Sequence, residues 1–120
     1  MNRRTFSKWV AVGVGSALIG RAAAAEMEIQ TVNGRIPARS LGLTLPHEHV
    51  LVDFIGADRV SPERYQREDV VAFARPHLQQ ARTLGVKAVF ECTPAYLARD
   101  PRVLLRLSDE TGLHLVTNTG

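Results

Sequence analysis

Three short apolar runs dominate the hydrophobic pattern after residue 25, and their length predicts buried β-strands. They occupy residues 41–45, 86–93 and 113–120. The first strand should end at Pro46, because proline has no N–H to donate to a central ladder. Upstream, polar–apolar alternation over residues 28–37 and the Asn33-Gly34 dipeptide predict a β-hairpin with a type I′ turn.

Two longer stretches repeat apolar residues at spacings of three and four, which predicts amphipathic helices. The first helix should cover residues 68–84, and Pro76 within it should kink or split it. Its predicted buried stripe contains Val70, Val71, Phe73, Ala74, Leu78, Ala81 and Leu84. The second helix should cover residues 101–111, with Asp100 as its N-cap and Gly112 as its stop. Its predicted buried stripe contains Val103, Leu104 and Leu107, with Leu105 at its flank.

This alternation of strands and helices predicts an α/β fold with a parallel sheet, either open or closed into a barrel. Such folds place functional side chains at the carboxyl ends of the strands. The groups that follow the three strands are His47 and His49, then Glu91-Cys92-Thr93, then Asn118-Thr119. The first strand lacks a glycine-rich phosphate loop, which argues against a dinucleotide-binding sheet.

His47 and His49 supply the strongest chemical signal in the sequence. Residues two apart on an extended chain point to the same side, so the two imidazoles should project together while Glu48 faces away in a supporting role. Imidazole nitrogens suit zinc and its first-row neighbours, and the pair is therefore a candidate metal ligand set. Two structural histidines are the alternative interpretation. His77 and His114 should be structural.

The first 25 residues predict a cleaved export signal. Arg3 and Arg4, followed by Thr-Phe-Ser-Lys, precede an apolar segment at 9–19 that is too short to span a bilayer, and small residues follow it. The arginine pair resembles the twin-arginine type, which implies a bacterial periplasmic or secreted protein. A membrane-anchoring N-terminus is the alternative. The predicted organisation is therefore a signal peptide at 1–25 and a folded region at 26–120.

Composition adds bounds rather than chemistry. The 120 residues are 45% hydrophobic and 22% charged, which is typical of one soluble globular domain. The net charge of +3 comes from the leader, since residues 1–25 hold four basic residues and no acidic one. The remainder has no basic stripe with interleaved aromatic residues, so nucleic-acid binding is not expected. The single cysteine, Cys92, excludes a disulfide within the chain and should be a small buried hydrophobe.

Four segments taken together resemble the phosphotriesterase family of the amidohydrolase superfamily. They are Ile29–Gly34, Gly42–His49, Gly85–Pro94 and Asn118–Gly120. The resemblance implies that residues 26–120 form the N-terminal portion of a (β/α)8 TIM barrel, a hairpin plus about three βα units, truncated after strand 3. It also implies two divalent metal ions, usually zinc, with His47 and His49 holding one of them. Pro46 departs from the family pattern and should shift the local backbone.

The activity that the resemblance implies is hydrolysis of a lactone, carboxylic ester or phosphotriester by a metal-bound hydroxide. The other ligands of the family, a carboxylated lysine, two histidines and an aspartate, come from later strands. No catalytic or substrate-binding residue is therefore assigned within the chain, which should be inactive alone. Glu91 is expected either to contact the site or to pack at the strand end.

The expected partner is a small ester-type substrate, with no nucleic acid and no membrane span after removal of the signal. The sequence leaves open whether the full-length form is a homodimer. Two other functions stay open at this point. One is a non-catalytic exported metal-binding module, and the other is a pseudoenzyme or structural fragment.

Overall fold

The computed structural model describes residues 25–119, which form a β-hairpin, a three-stranded sheet and two helices. The elements are β1 (Glu28–Thr31), β2 (Gly34–Pro37), β3 (Thr44–Glu48), α1 (Arg67–Thr83), β4 (Ala88–Glu91), α2 (Pro101–Thr111) and β5 (His114–Thr117). Neither helix in this part of the chain has the length and apolar character that crossing a bilayer requires. The predicted export signal at 1–25 lies outside the described residues except for Ala25.

Strands β3, β4 and β5 lie side by side in chain order and run parallel, which confirms the predicted α/β fold with a parallel sheet. The register aligns Leu45 with Val89 and Val89 with Leu115. The antiparallel hairpin of β1 and β2 joins the sheet beside β5, where the Val32 N–H donates to the Leu115 carbonyl at 2.9 Å. Because the three strands are parallel, their carboxyl ends meet at one edge of the sheet.

The prediction that the first strand is buried and ends at Pro46 is wrong. Strand β3 runs through Pro46 to Glu48, and Leu43 before it is 59% exposed. Pro46 lies where the pairing with β4 is irregular, and a strand tolerates proline at such a position. Leu45 pairs with Val89, whereas Glu48 pairs with Glu91. Strand β3 thus carries one extra residue opposite β4, the arrangement of a β-bulge.

The hairpin is confirmed, but its predicted type I′ turn is wrong. Thr31 pairs directly with Gly34, so Val32 and Asn33 are the central turn residues. Neither has the positive φ that a type I′ turn requires, since Ala98 is the only described non-glycine residue with one. The left-handed residue is Gly34 itself, at φ 115°. The Thr31 hydroxyl closes the turn by donating to the Gly34 carbonyl at 2.7 Å.

Helix α1 confirms the first predicted helix within one residue at each end, and it runs through Pro76 without being split. Its buried stripe is narrower than the sequence predicts. Val71 is buried, whereas Phe73 and Leu84 are each 75% exposed. The apolar residues of α1 therefore extend around more of the helix than the part that the sheet and α2 bury in the described chain.

Helix α2 follows its prediction closely because local signals define both of its ends. The Asp100 carboxylate accepts the N–H groups of Arg102 at 3.0 Å and Val103 at 3.4 Å, as an N-cap does. Gly112 ends the helix in the left-handed conformation at φ 70°, with its N–H donating to the Ser108 carbonyl. Val103, Leu104 and Leu107 are buried as predicted, but the prediction for Leu105 is wrong, because its side chain is 41% exposed.

The hydrophobic core lies between the sheet and the two helices. Its buried members are Val71, Val86, Val89, Val103, Leu104, Leu107, Leu113 and Leu115. Each fully buried leucine stabilises the fold by about 2 kcal/mol relative to an exposed one. Most of these residues come from β4, α2 and β5. The core is therefore built mainly on two of the strands whose carboxyl ends are described next.

Candidate metal-binding site

The side chains that follow the three parallel strands meet at one edge of the sheet, as the sequence predicts. The imidazole Nδ1 of His49, after β3, lies 2.9 Å from the Thr93 hydroxyl oxygen after β4. The Asn118 side-chain amide, after β5, donates to the Cys92 carbonyl at 2.8 Å. Thr119 follows and is exposed. This edge is therefore the place where chemically active groups of the described chain are brought together.

His47 and His49 are neighbours at this edge, and both are exposed. Their ring centroids are 5.2 Å apart and the ring planes are inclined by 67°. Residues 25–119 contain no group of three or more His, Cys, Asp or Glu side chains that could hold a metal ion. Within the described chain the histidine pair thus offers two nitrogen ligands, and their role as metal ligands stays a prediction.

Glu91 lies behind the histidines and is only 2% exposed. One carboxylate oxygen accepts the Val50 N–H at 3.1 Å and the Thr93 hydroxyl, while the other accepts the Thr93 N–H at 3.3 Å. The sequence left Glu91 open between contact with the site and packing of the strand end. The structure shows Glu91 buried at the end of β4, and its link to His49 is indirect, through Thr93.

The residues between and around the histidines have backbone or packing roles. Glu48 is exposed, and its carbonyl accepts the Cys92 N–H at 2.8 Å, which extends the pairing of β3 and β4. Cys92 itself is half-buried and lies just past β4, so its predicted place as a buried strand residue is wrong. The His77 ring packs on Phe73 of the same helix at 5.3 Å between centroids, which agrees with its predicted structural role.

A groove of about 300 Å³ opens beside His49, along helix α1. Leu45, Glu48 and Phe73 contribute to its walls, and its lining is mostly apolar. The exposed ring of Phe73 therefore belongs to the border of a concave surface next to the candidate site.

A second cluster, centred on Asp100, was not predicted beyond the helix cap. The Tyr65 hydroxyl and the Arg67 guanidinium donate to the same Asp100 oxygen at 2.5 and 2.7 Å. Burial opposes ionisation of Asp100, but the hydrogen bonds from Tyr65, Arg67 and the Arg102 backbone outweigh it and lower the pKa of the carboxyl. Burial, and then the hydrogen bond to Asp100, raise the pKa of Tyr65 to about 12.

Comparisons with known proteins agree with this architecture. Residues 27–120 match the model of the phosphotriesterase family. An aryldialkylphosphatase of Saccharolobus solfataricus is 31% identical over 85 residues, which are 71% of this chain and 27% of that protein. A phosphotriesterase homology protein of Mycobacterium tuberculosis is 33% identical over 94 residues, which are 78% of this chain and 29% of that protein.

Among solved structures, an organophosphorus hydrolase of Deinococcus radiodurans superposes with a TM-score of 0.70 at 31% identity. The superposition covers 88% of this chain and 31% of the hydrolase. The chain thus spans less than a third of the length of each of these three proteins.

Proposed function

The chain belongs to the phosphotriesterase family, and we propose that it supplies the N-terminal portion of a metal-dependent hydrolase built on a closed (β/α)8 barrel. In this proposal residues 26–120 provide the hairpin and the first three strands. Three consecutive parallel strands with helical connections are the repeat from which such a barrel is built. The likeness to an organophosphorus hydrolase over 88% of the chain supports the same arrangement.

The observation that carries the proposal is the position of His47 and His49. Two adjacent exposed imidazoles at the carboxyl edge of a parallel sheet fit a divalent cation, and an all-nitrogen pair suits zinc. The described residues offer two ligands, so the rest of a two-metal centre would come from other parts of the barrel. Bound divalent ions would supply Lewis-acid activation of both the substrate and water.

The chain's own residues prepare this edge for a ligand. His47 and His49 would hold one metal ion, and Thr93 and Glu91 would hold the second imidazole in place from behind. We propose that the substrate carries an ester-type bond, in a phosphotriester, lactone or carboxylic ester. The names of the aryldialkylphosphatase and the organophosphorus hydrolase favour an active enzyme over a non-catalytic metal-binding module.

The export signal is a proposal of the same kind. Arg3 and Arg4 lie outside the described residues, and their support is the sequence pattern alone. We propose that residues 1–25 direct the protein through the twin-arginine route to the periplasm or exterior.

Metal analysis and hydrolysis assays on the whole protein test the proposed activity. Zinc content should collapse in His47→Ala/His49→Ala, and hydrolysis of a phosphotriester, a lactone and an aryl ester should fall by at least about 100-fold. The control, His114→Ala, removes an imidazole from the amino end of β5, away from the candidate site, and should keep its zinc and activity. Unchanged metal stoichiometry in the first variant would refute the proposal.

A further inference from the structure

A chain of hydrogen bonds links a buried carboxylate to the exposed imidazole of His49. It passes from Glu91, 2% exposed, through the hydroxyl of Thr93, 0% exposed, to Nδ1 of His49. The first and last members are separated by more than forty residues in sequence, but β3 and β4 are adjacent strands, and this places the three side chains in line. The direction of each hydrogen bond can be worked out from its donors.

The Glu91 carboxylate is held as an acceptor on both oxygens. One oxygen accepts the Val50 N–H and the other accepts the Thr93 N–H. With a backbone donor on each oxygen, the group has the surroundings of an ionised carboxylate, which accepts hydrogen bonds and donates none. An ionised Glu91 has no hydrogen to donate, so the hydrogen between Glu91 and the Thr93 hydroxyl then comes from Thr93.

A threonine hydroxyl has one hydrogen to donate. Since that hydrogen is directed to Glu91, the Thr93 oxygen can only accept from His49 at 2.9 Å. Nδ1 of His49 must then carry the hydrogen, and in a neutral imidazole the lone pair is left on Nε2.

We infer that Glu91 and Thr93 are positioning residues that hold His49 in the Nδ1–H tautomer, with Nε2 free to bind a divalent cation. The cation rests on the proposed function, whereas the tautomer does not. Histidines that bind metals commonly donate their other ring N–H to a neighbouring acceptor, which fixes the ring and raises its basicity as a ligand. Here the acceptor is a hydroxyl whose own orientation is set by a buried carboxylate.

The His47 ring lacks such an anchor. In the part of the chain that the structure describes, it contacts the His49 ring and makes no side-chain hydrogen bond. The inference therefore applies to His49, for which the described residues supply the anchor. Before metal enters, His49 should have a single tautomer.

Nitrogen-15 NMR of the histidine rings in the whole protein tests this inference. In metal-free protein at about pH 8, where an ordinary imidazole is neutral, His49 should show a protonated Nδ1 and an unprotonated Nε2. In Thr93→Val, which keeps the shape and loses the hydroxyl, the His49 signals should become averaged between the two tautomers. Thr93→Ser should retain the wild-type pattern.

Zinc titration of the same three proteins supplies a second readout. Thr93→Val should weaken zinc binding by about 10- to 100-fold, and Thr93→Ser should bind as wild type does. A protonated Nε2 on His49 in the metal-free wild type would overturn the inference, and that measurement needs no variant to fold. A wild-type protein with the expected tautomer but no zinc affinity would instead refute the proposed function and support the tautomer assignment.

Discussion

The carboxylate of Asp100 lies 2.7 Å from the guanidinium of Arg67, so the residue that caps α2 also binds the first residue of α1. Tyr65 donates to the same oxygen from the loop before α1. One buried carboxylate therefore fixes the starts of both helices relative to each other. Asp100 therefore contributes to stability both as a helix cap and as the acceptor of a charged hydrogen bond, and substitutions can separate the two contributions.

Substitution of Asp100 should lower the free energy of unfolding in two steps. Asp100→Asn keeps a residue that caps helices well but loses the charge facing Arg67, whereas Asp100→Ala loses both. We expect Asp100→Ala to lower the free energy of unfolding by about 2 kcal/mol, and Asp100→Asn to lower it by less. Urea unfolding of the whole protein measures this. Asp58→Ala, at an exposed aspartate, should change the value by less than about 0.5 kcal/mol, and equal losses in Asp100→Ala and Asp58→Ala would contradict the assignment.

Tyr65 should make stability sensitive to alkaline pH. Its pKa is raised from 10.0 to about 12 in the folded chain, so its hydroxyl favours folding fully below pH 10. That contribution is lost as the pH rises from about 10 to about 12. Wild-type protein should lose more unfolding free energy over this window than Tyr65→Phe.

Denaturant unfolding at several alkaline pH values checks the difference. Tyr96→Phe is the matched control, because Tyr96 is 56% exposed. This variant should show the same dependence of unfolding free energy on pH as wild type. Parallel curves for wild type and Tyr65→Phe would show that the hydroxyl has the same proton affinity in the folded and unfolded chain.

Export should depend on the arginine pair and not on positive charge alone. Arg3→Lys/Arg4→Lys preserves the charge but removes the twin-arginine pattern, so the whole protein should accumulate in the cytoplasm of a bacterial host. Arg21→Lys, in the same leader, should export normally. Fractionation followed by immunodetection measures the distribution, and an undiminished periplasmic fraction in the double variant would exclude the twin-arginine route.

Local sequence signals predict an element correctly where residues within or next to that element determine its ends. Helix α2 begins after its N-cap Asp100 and ends at the left-handed Gly112, and the sequence predicts both ends from these two residues. The order of strands and helices likewise gave the parallel sheet. The meeting of His49 with the residues after β4 followed from that topology, since the carboxyl ends of parallel strands share one edge.

The sequence was insufficient where a distant partner decides the outcome. Nothing in the residues near Pro46 indicates that the pairing of β3 with β4 shifts by one residue. The apolar spacing in α1 gives a wide stripe but does not identify which parts of it are covered, and Phe73 was therefore misplaced. The link from Glu91 through Thr93 to His49 joins side chains from different strands, which periodicity cannot pair.

The extra residue in β3 determines which face of the sheet each of the following side chains occupies. Along a strand, side chains alternate between faces, and a displacement of one residue exchanges every face beyond it. Without the shift between Leu45 and Glu48, each later residue of the segment would move by one position, and we expect Glu48 to take the place that His49 has relative to Thr93. An acidic side chain would then face Thr93 in place of the imidazole, so the one-residue shift decides which of the two groups lies at this point of the sheet edge.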